Sequence, residues 1–188
     1  MTDNKLLLPP VIPALRAADE WQDVHLKTGP QVVFLLGGSI NTVAEPVALL
    51  QRRGWQVFLH VDMLKGLTTD ADGLKFLADY VGPQGIISTH AHTIQVAKKN
   101  NLVAIQRLFV VDSQSIETGI NQVRTARPDA VELMPGLIPR AIRQMVQQLP
   151  CPIIAGGLVT ESEQISAALH AGACSVSTSR RVLWDWGE

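Results

Sequence analysis

Eight short aliphatic runs recur along the chain, separated by segments with helical periodicity. They are Val11–Arg16, Val32–Leu36, Val57–Asp62, Gly85–Thr89, Val103–Arg107, Ala130–Met134, Pro152–Ala155 and Ala173–Ser179. A strand and a helix in alternation force the strands parallel, because a parallel pair needs a crossover long enough to hold a helix. Eight such units predict a TIM-like (β/α) barrel, a single domain over residues 1–188. The length of 188 residues is tight against the roughly 200 or more such barrels usually take. The tail Arg180–Trp186 is too short for a full last helix, so a small or irregular barrel is expected. An open doubly wound sheet is the alternative that periodicity leaves standing.

The helix ends are readable in part. Asn41 can cap the second helix, and Asp112 or Ser113 the fifth. Pro139 suits the first turn of the sixth. Thr160-Glu161-Ser162-Glu163 has the capping-box pattern, and Gly172 stands where a left-handed residue would stop the seventh helix.

A hydrophobic content of 46% is enough for a sizeable core, and no linker or low-complexity tract interrupts it. Leu6-Leu7-Leu8 is stopped by Pro9, Pro10 and Pro13, far short of a membrane span or a signal h-region, so a cytoplasmic protein is expected. Cys151 and Cys174 have no metal-ligand spacing and read as reduced, small core residues. A formal charge of −1 argues against broad polyanion binding, though not against a local basic patch.

In a parallel barrel, side chains alternate between helix layer and interior, and ligand groups gather at the C-terminal strand ends. Asp62, Arg107 and Glu132 fall on the polar phase of their runs and are candidates to converge on one mouth. Each needs a partner, since a lone charge in an apolar setting costs several kcal/mol. Ligand contact and an internal network with Arg107 between two carboxylates are both open. Gly156-Gly157, ahead of a helix N-terminus, and Ser177-Thr178-Ser179, ending the next strand, read as an anion cradle. Barrels often hold phosphate between the loops after strands seven and eight, which these are.

Other chemistry is poorly supported. His90-Ala91-His92 suggests a metal, but only His60 and Asp62 could complete the set. No nucleophile has an evident base. Arg124, Arg127, Arg140, Arg143 and the pairs Lys98-Lys99, Arg52-Arg53 and Arg180-Arg181 look like solvated or dipole-complementing charges.

In order, the motifs Leu59-His60-Val61-Asp62-Met63-Leu64-Lys65-Gly66-Leu67, Gly85-Ile86-Ile87-Ser88-Thr89, Ile105-Gln106-Arg107-Leu108-Phe109, Asp112-Ser113, Val131-Glu132-Leu133-Met134-Pro135-Gly136, Ile154-Ala155-Gly156-Gly157-Leu158 and Val176-Ser177-Thr178-Ser179 resemble the glycerol-uptake operon antiterminator family. The closing Leu183-Trp184 fits as well. The resemblance implies a TIM-barrel-like regulator, with no catalytic residues, metal or other cofactor, that senses glycerol 3-phosphate and acts on leader messenger RNA. Carried over by position, Gly156, Gly157, Thr178 and Ser179 would hold the phosphate. Asp62, Arg107 and Glu132 would surround the glycerol end, with Lys65 adding charge. Arg140 and Arg143 are the first candidates for RNA contact. Three positions depart from the family's pattern. His90 and Thr160 stand where a basic residue is common, and Gly37-Gly38-Ser39 where an acidic one is. Trp184 and Trp186 are read as closing the barrel, with a homo-oligomer contact as the alternative. An enzyme acting on a small triose or glycerol phosphate, with Glu132 or Asp62 as base and Arg107 as stabiliser, is the competing reading.

Overall fold

All eight aliphatic runs form strands: β1 (Val11–Leu15), β2 (Val32–Leu35), β3 (Gln56–His60), β4 (Gly85–Ser88), β5 (Val103–Phe109), β6 (Ala130–Met134), β7 (Ile153–Gly156) and β8 (Ser175–Thr178). The structure, a computed structural model, describes residues 6–16, 24 and 29–187. Neighbouring strands pair in parallel, and β8 returns to β1 with Val11 opposite Val176, so the sheet closes into a barrel. Closure excludes the open sheet that periodicity alone allowed. A short parallel pair, Gly38–Ser39 with Leu64–Lys65, sits beyond the ends of β2 and β3.

Helices α1 (Ala44–Arg52), α2 (Ala71–Phe76), α3 (Ala91–Lys99), α4 (Ser113–Ala126), α5 (Pro139–Gln148) and α6 (Ser162–His170) follow β2 to β7 in turn. The segment where a first helix was expected, between β1 and β2, lies mostly outside the described residues. After β8 a single 3-10 turn, Arg181–Leu183, takes the place of a last helix. Its neighbour Trp184 is 5% exposed and donates its indole N–H to the Thr178 carbonyl at 2.9 Å. Trp184 packs with the cluster behind β1 to β4, and Trp186 against the one behind β6 to β8. The turn and its two tryptophans thus pack against the apolar clusters on both sides of the β8–β1 junction.

Helix starts depart from expectation where the backbone found another partner. Asn41 does not cap α1; Val43 holds that position, and the Ser39 carbonyl takes the Thr42 and Val43 N–H groups. The box expected at Thr160–Glu163 is shifted by one, because the longer Gln164 side chain accepts from the N–H of both Thr160 and Glu161. Asp112 caps α4 through the Ser115 N–H, and Pro139 opens α5, both as expected. Gly172 follows α6 at φ +103°, again as expected. The cysteine expectation holds only in part. Cys151 is half-buried, but Cys174 is exposed in the turn that enters β8, and both thiols are free.

Candidate functional site

The barrel interior is filled from below by Ile12, Phe34, Phe58, Ile87, Ile105, Ala130 and Ile154. Since side chains alternate in and out along a strand, the next inward positions toward the C-terminal ends are His60, Arg107, Glu132, Gly156 and Ser177. Strand tilt makes alternate strands share a level of the interior. The register puts Ala14, His60, Arg107 and Gly156 on one such level, with Glu132 and Ser177 just beneath.

Glu132 anchors this region. Its Oε2 takes the Arg107 Nε–H at 2.7 Å, and its Oε1 takes the Ser177 hydroxyl at 2.5 Å. The two charged side chains are 7% and 1% exposed, so the ion pair is sealed and each charge depends on the other. Gly156 is a glycine for a reason of space: a Cβ there would collide with Ser177 Oγ and Glu132 Oε1. The Gly136 N–H donates to the Gly156 carbonyl, tying the loop after β6 to the turn after β7.

Above the pair opens a cavity of about 470 Å³. Arg107, Glu132, Gly157, Thr178, Ser179 and Thr160 are among its walls. Gly157 has φ +75°, a left-handed conformation that lets its backbone form the wall without side-chain strain. The Thr178 hydroxyl is engaged internally, donating to the Val159 carbonyl at 2.8 Å and accepting the Arg180 N–H at 3.1 Å. Two cations not among the site candidates drawn from the sequence, Arg16 and Arg180, also line the cavity. Both stand just past a strand end, the same signal that selected Asp62, but in the sequence Arg180 with Arg181 reads as solvated charge and Arg16 only as the end of the first aliphatic run.

Asp62 and Lys65 are placed elsewhere. Asp62 lies in the 3-10 turn Val61–Met63 that follows β3, past the strand in which it was expected. It takes the Ser88 hydroxyl at 2.6 Å, the Thr89 N–H at 2.7 Å and the Thr89 hydroxyl at 2.8 Å. Burial alone would raise its pKa; the bonds from Ser88 and Thr89 outweigh that and hold the carboxyl below its ordinary value. Arg107 therefore pairs with one carboxylate, not two. Lys65 is exposed in the short outer pair, and its carbonyl accepts from Ile40.

His90 is exposed at the start of α3, its Nδ1 3.5 Å from Asp62 Oδ2. Among the described residues no three His, Cys, Asp or Glu side chains gather as metal ligands. Arg140 and Arg143 are exposed at the start of α5, on the mouth side. Arg124 and Arg127, near them in sequence, end α4 at the opposite side of the barrel. No described helix is long and apolar enough to cross a membrane.

His60 is 4% exposed, and neither ring nitrogen has a hydrogen-bond partner; Nη2 of Arg107 is buried and unpartnered as well. Burial, helped by the Arg107 charge and only partly offset by Asp62, lowers the His60 pKa to about 4.

The model of a family described as "Glycerol-3-phosphate responsive antiterminator" matches residues 11–184. YgcP of Escherichia coli is 33% identical over 175 residues, which are 93% of this chain and 91% of that protein. A crystal structure of the glycerol uptake operon antiterminator regulatory protein of Listeria monocytogenes superposes with a TM-score of 0.89 at 35% identity, covering 96% of this chain and 100% of that one. A glycerol uptake operon antiterminator-related protein of Thermotoga maritima gives 0.83 at 33% identity, covering 94% and 98%. A solved aldolase, at 0.70 and 12% identity over 97% of this chain and 94% of its own, shares the fold alone.

Proposed function

The chain belongs to the glycerol-3-phosphate responsive antiterminator family, and from that premise we propose that its mouth cavity binds glycerol 3-phosphate as a signal governing contact with leader messenger RNA. The observation that carries this reading is the polarity of the cavity. Its floor is an internally neutralised Arg107–Glu132 pair beside the Ser177 hydroxyl, suited to an uncharged polyol. Its rim holds Arg16, Arg180, Ser179 and the Gly157 turn, suited to a phosphate. A ligand with one anionic and one hydroxylic end fits in one orientation only.

Thr160 leaves its part of the wall uncharged, and Arg180 and Arg16 supply positive charge in the same cavity. Gly156 serves by making room for Glu132, while Gly157 and Ser179 face the phosphate. Asp62 acts at one remove, by fixing the β3–β4 corner, and Lys65 contributes at most a distant field.

As a regulator, the protein transmits the signal through a ligand whose affinity differs between two states. Leader-RNA affinity is therefore expected to change across a glycerol 3-phosphate titration, and a constant affinity overturns the gating. Arg140→Ala with Arg143→Ala should weaken RNA binding while leaving the effector's affinity intact. Effector binding is checked by thermal shift: at about a hundred times its dissociation constant the ligand adds about 2.7 kcal/mol, several degrees in a domain of this size. Gly157→Asp, which adds a carboxylate to the cavity wall, should abolish that shift.

A further inference from the structure

His60 is the sealed polar group that the Glu132 network leaves unused. Both its ring nitrogens and Nη2 of Arg107 lack partners, although leaving a buried polar group without one is destabilising. The other members of their level, Ala14 and Gly156, have no polar side-chain atom that could supply a bond. Arg107 and Ala14 line the mouth cavity, as do Glu132 and Ser177 just beneath them. His60 shares the level of Arg107 but is not part of the cavity wall, so a ligand meets it only by reaching past Arg107.

We propose that His60 is a specificity-determining residue of the effector site, hydrogen-bonding a hydroxyl of the ligand's glycerol end together with Nη2 of Arg107. The proposal rests on the reading of the cavity as the effector site. An imidazole with a pKa of about 4 is neutral at physiological pH and offers one N–H donor and one acceptor nitrogen. A hydroxyl both gives and takes a hydrogen bond and matches that pair. A carboxylate or phosphate only accepts, and would lie against the Glu132 carboxylate. The class selected is thus a phosphorylated vicinal diol over its deoxy counterpart, because a site built around a hydroxyl rejects the analogue that lacks it.

Calorimetric titration of the wild type, His60→Phe and His60→Asn with glycerol 3-phosphate, 1,3-propanediol monophosphate and inorganic phosphate tests this. His60→Phe should weaken glycerol 3-phosphate by about tenfold to a hundredfold and leave inorganic phosphate unchanged. His60→Asn, which keeps a donor and an acceptor, should recover part of the loss. Unchanged glycerol 3-phosphate affinity in His60→Phe, or an equal loss for all three ligands, overturns the proposal while leaving the effector site standing. A wild type that binds no glycerol 3-phosphate overturns both. Should His60→Phe fail to fold, the imidazole nitrogen resonances of the wild type decide: they shift on adding glycerol 3-phosphate if His60 touches it and stay still if it does not.

Discussion

Each side of the barrel mouth carries a carboxylate, and Asp62 and Glu132 differ in what their surroundings leave over. At the β3–β4 corner Asp62 is saturated by Ser88 and Thr89, with His90 alongside. On the β5–β8 side Glu132 is equally well held, but its partner Arg107 keeps an unused Nη2 and His60 keeps two unused nitrogens. A perturbed or buried charge therefore does not by itself mark a binding site, since structural networks perturb charges too. Leftover hydrogen-bonding capacity on a residue of the cavity wall, as at Nη2 of Arg107, is the more discriminating sign.

The hardest test of this contrast is Glu132→Ala, which strands Arg107 in a sealed interior. It should cost about 3–5 kcal/mol, read by chemical denaturation, with effector binding lost in whatever still folds. A smaller loss would mean that Arg107 reaches solvent on its own.

Acid should expose the same asymmetry. Because folding lowers the His60 pKa from 6.5 to about 4, the unfolded chain binds the extra proton more readily in between. Stability should then fall as pH drops through that window, by roughly 3 kcal/mol in all. Arg107 opposes protonation and Asp62 favours it, and both face the ring's field. Asp62, lowered from 3.8, contributes stability that is present above that value and lost only as pH falls through its folded pKa. Denaturation midpoints from pH 7 to 4 should therefore slope in the wild type and flatten there in His60→Phe.

Asp62→Asn comes next, at about 1–3 kcal/mol, since it breaks a satisfied corner without touching the cavity wall. Its denaturation midpoint should drop while its affinity for glycerol 3-phosphate stays within about twofold. A large affinity loss would move Asp62 into the site. Lys65→Ala is expected to change stability by less than about 0.5 kcal/mol and to leave ligand binding unaltered in the same assays.

The fold was legible because each aliphatic run carries its own strand signal and the βα alternation leaves few topologies. Arg107 and Glu132 were legible for a related reason: inward parity near a strand end can be counted along the chain. The misplaced details share a cause. Asn41 lost its capping role to the Ser39 carbonyl, and the box at α6 moved to Gln164, because competing partners a few residues away decide such ends. Arg180 reads as solvated charge and Arg16 as a mere strand end until closure brings β1 beside β8 and both into one cavity wall.

By itself, then, the sequence determined the strand count, the inward phase of each run and the chain's membership of its family, all of which depend on order along the chain. Only the tertiary structure decided which charges meet. Register and strand tilt set that, placing His60, Arg107, Ala14 and Gly156 on one level and turning Asp62 toward Ser88 and Thr89. The stagger between neighbouring strands depends on how the whole barrel closes, and no single segment encodes it.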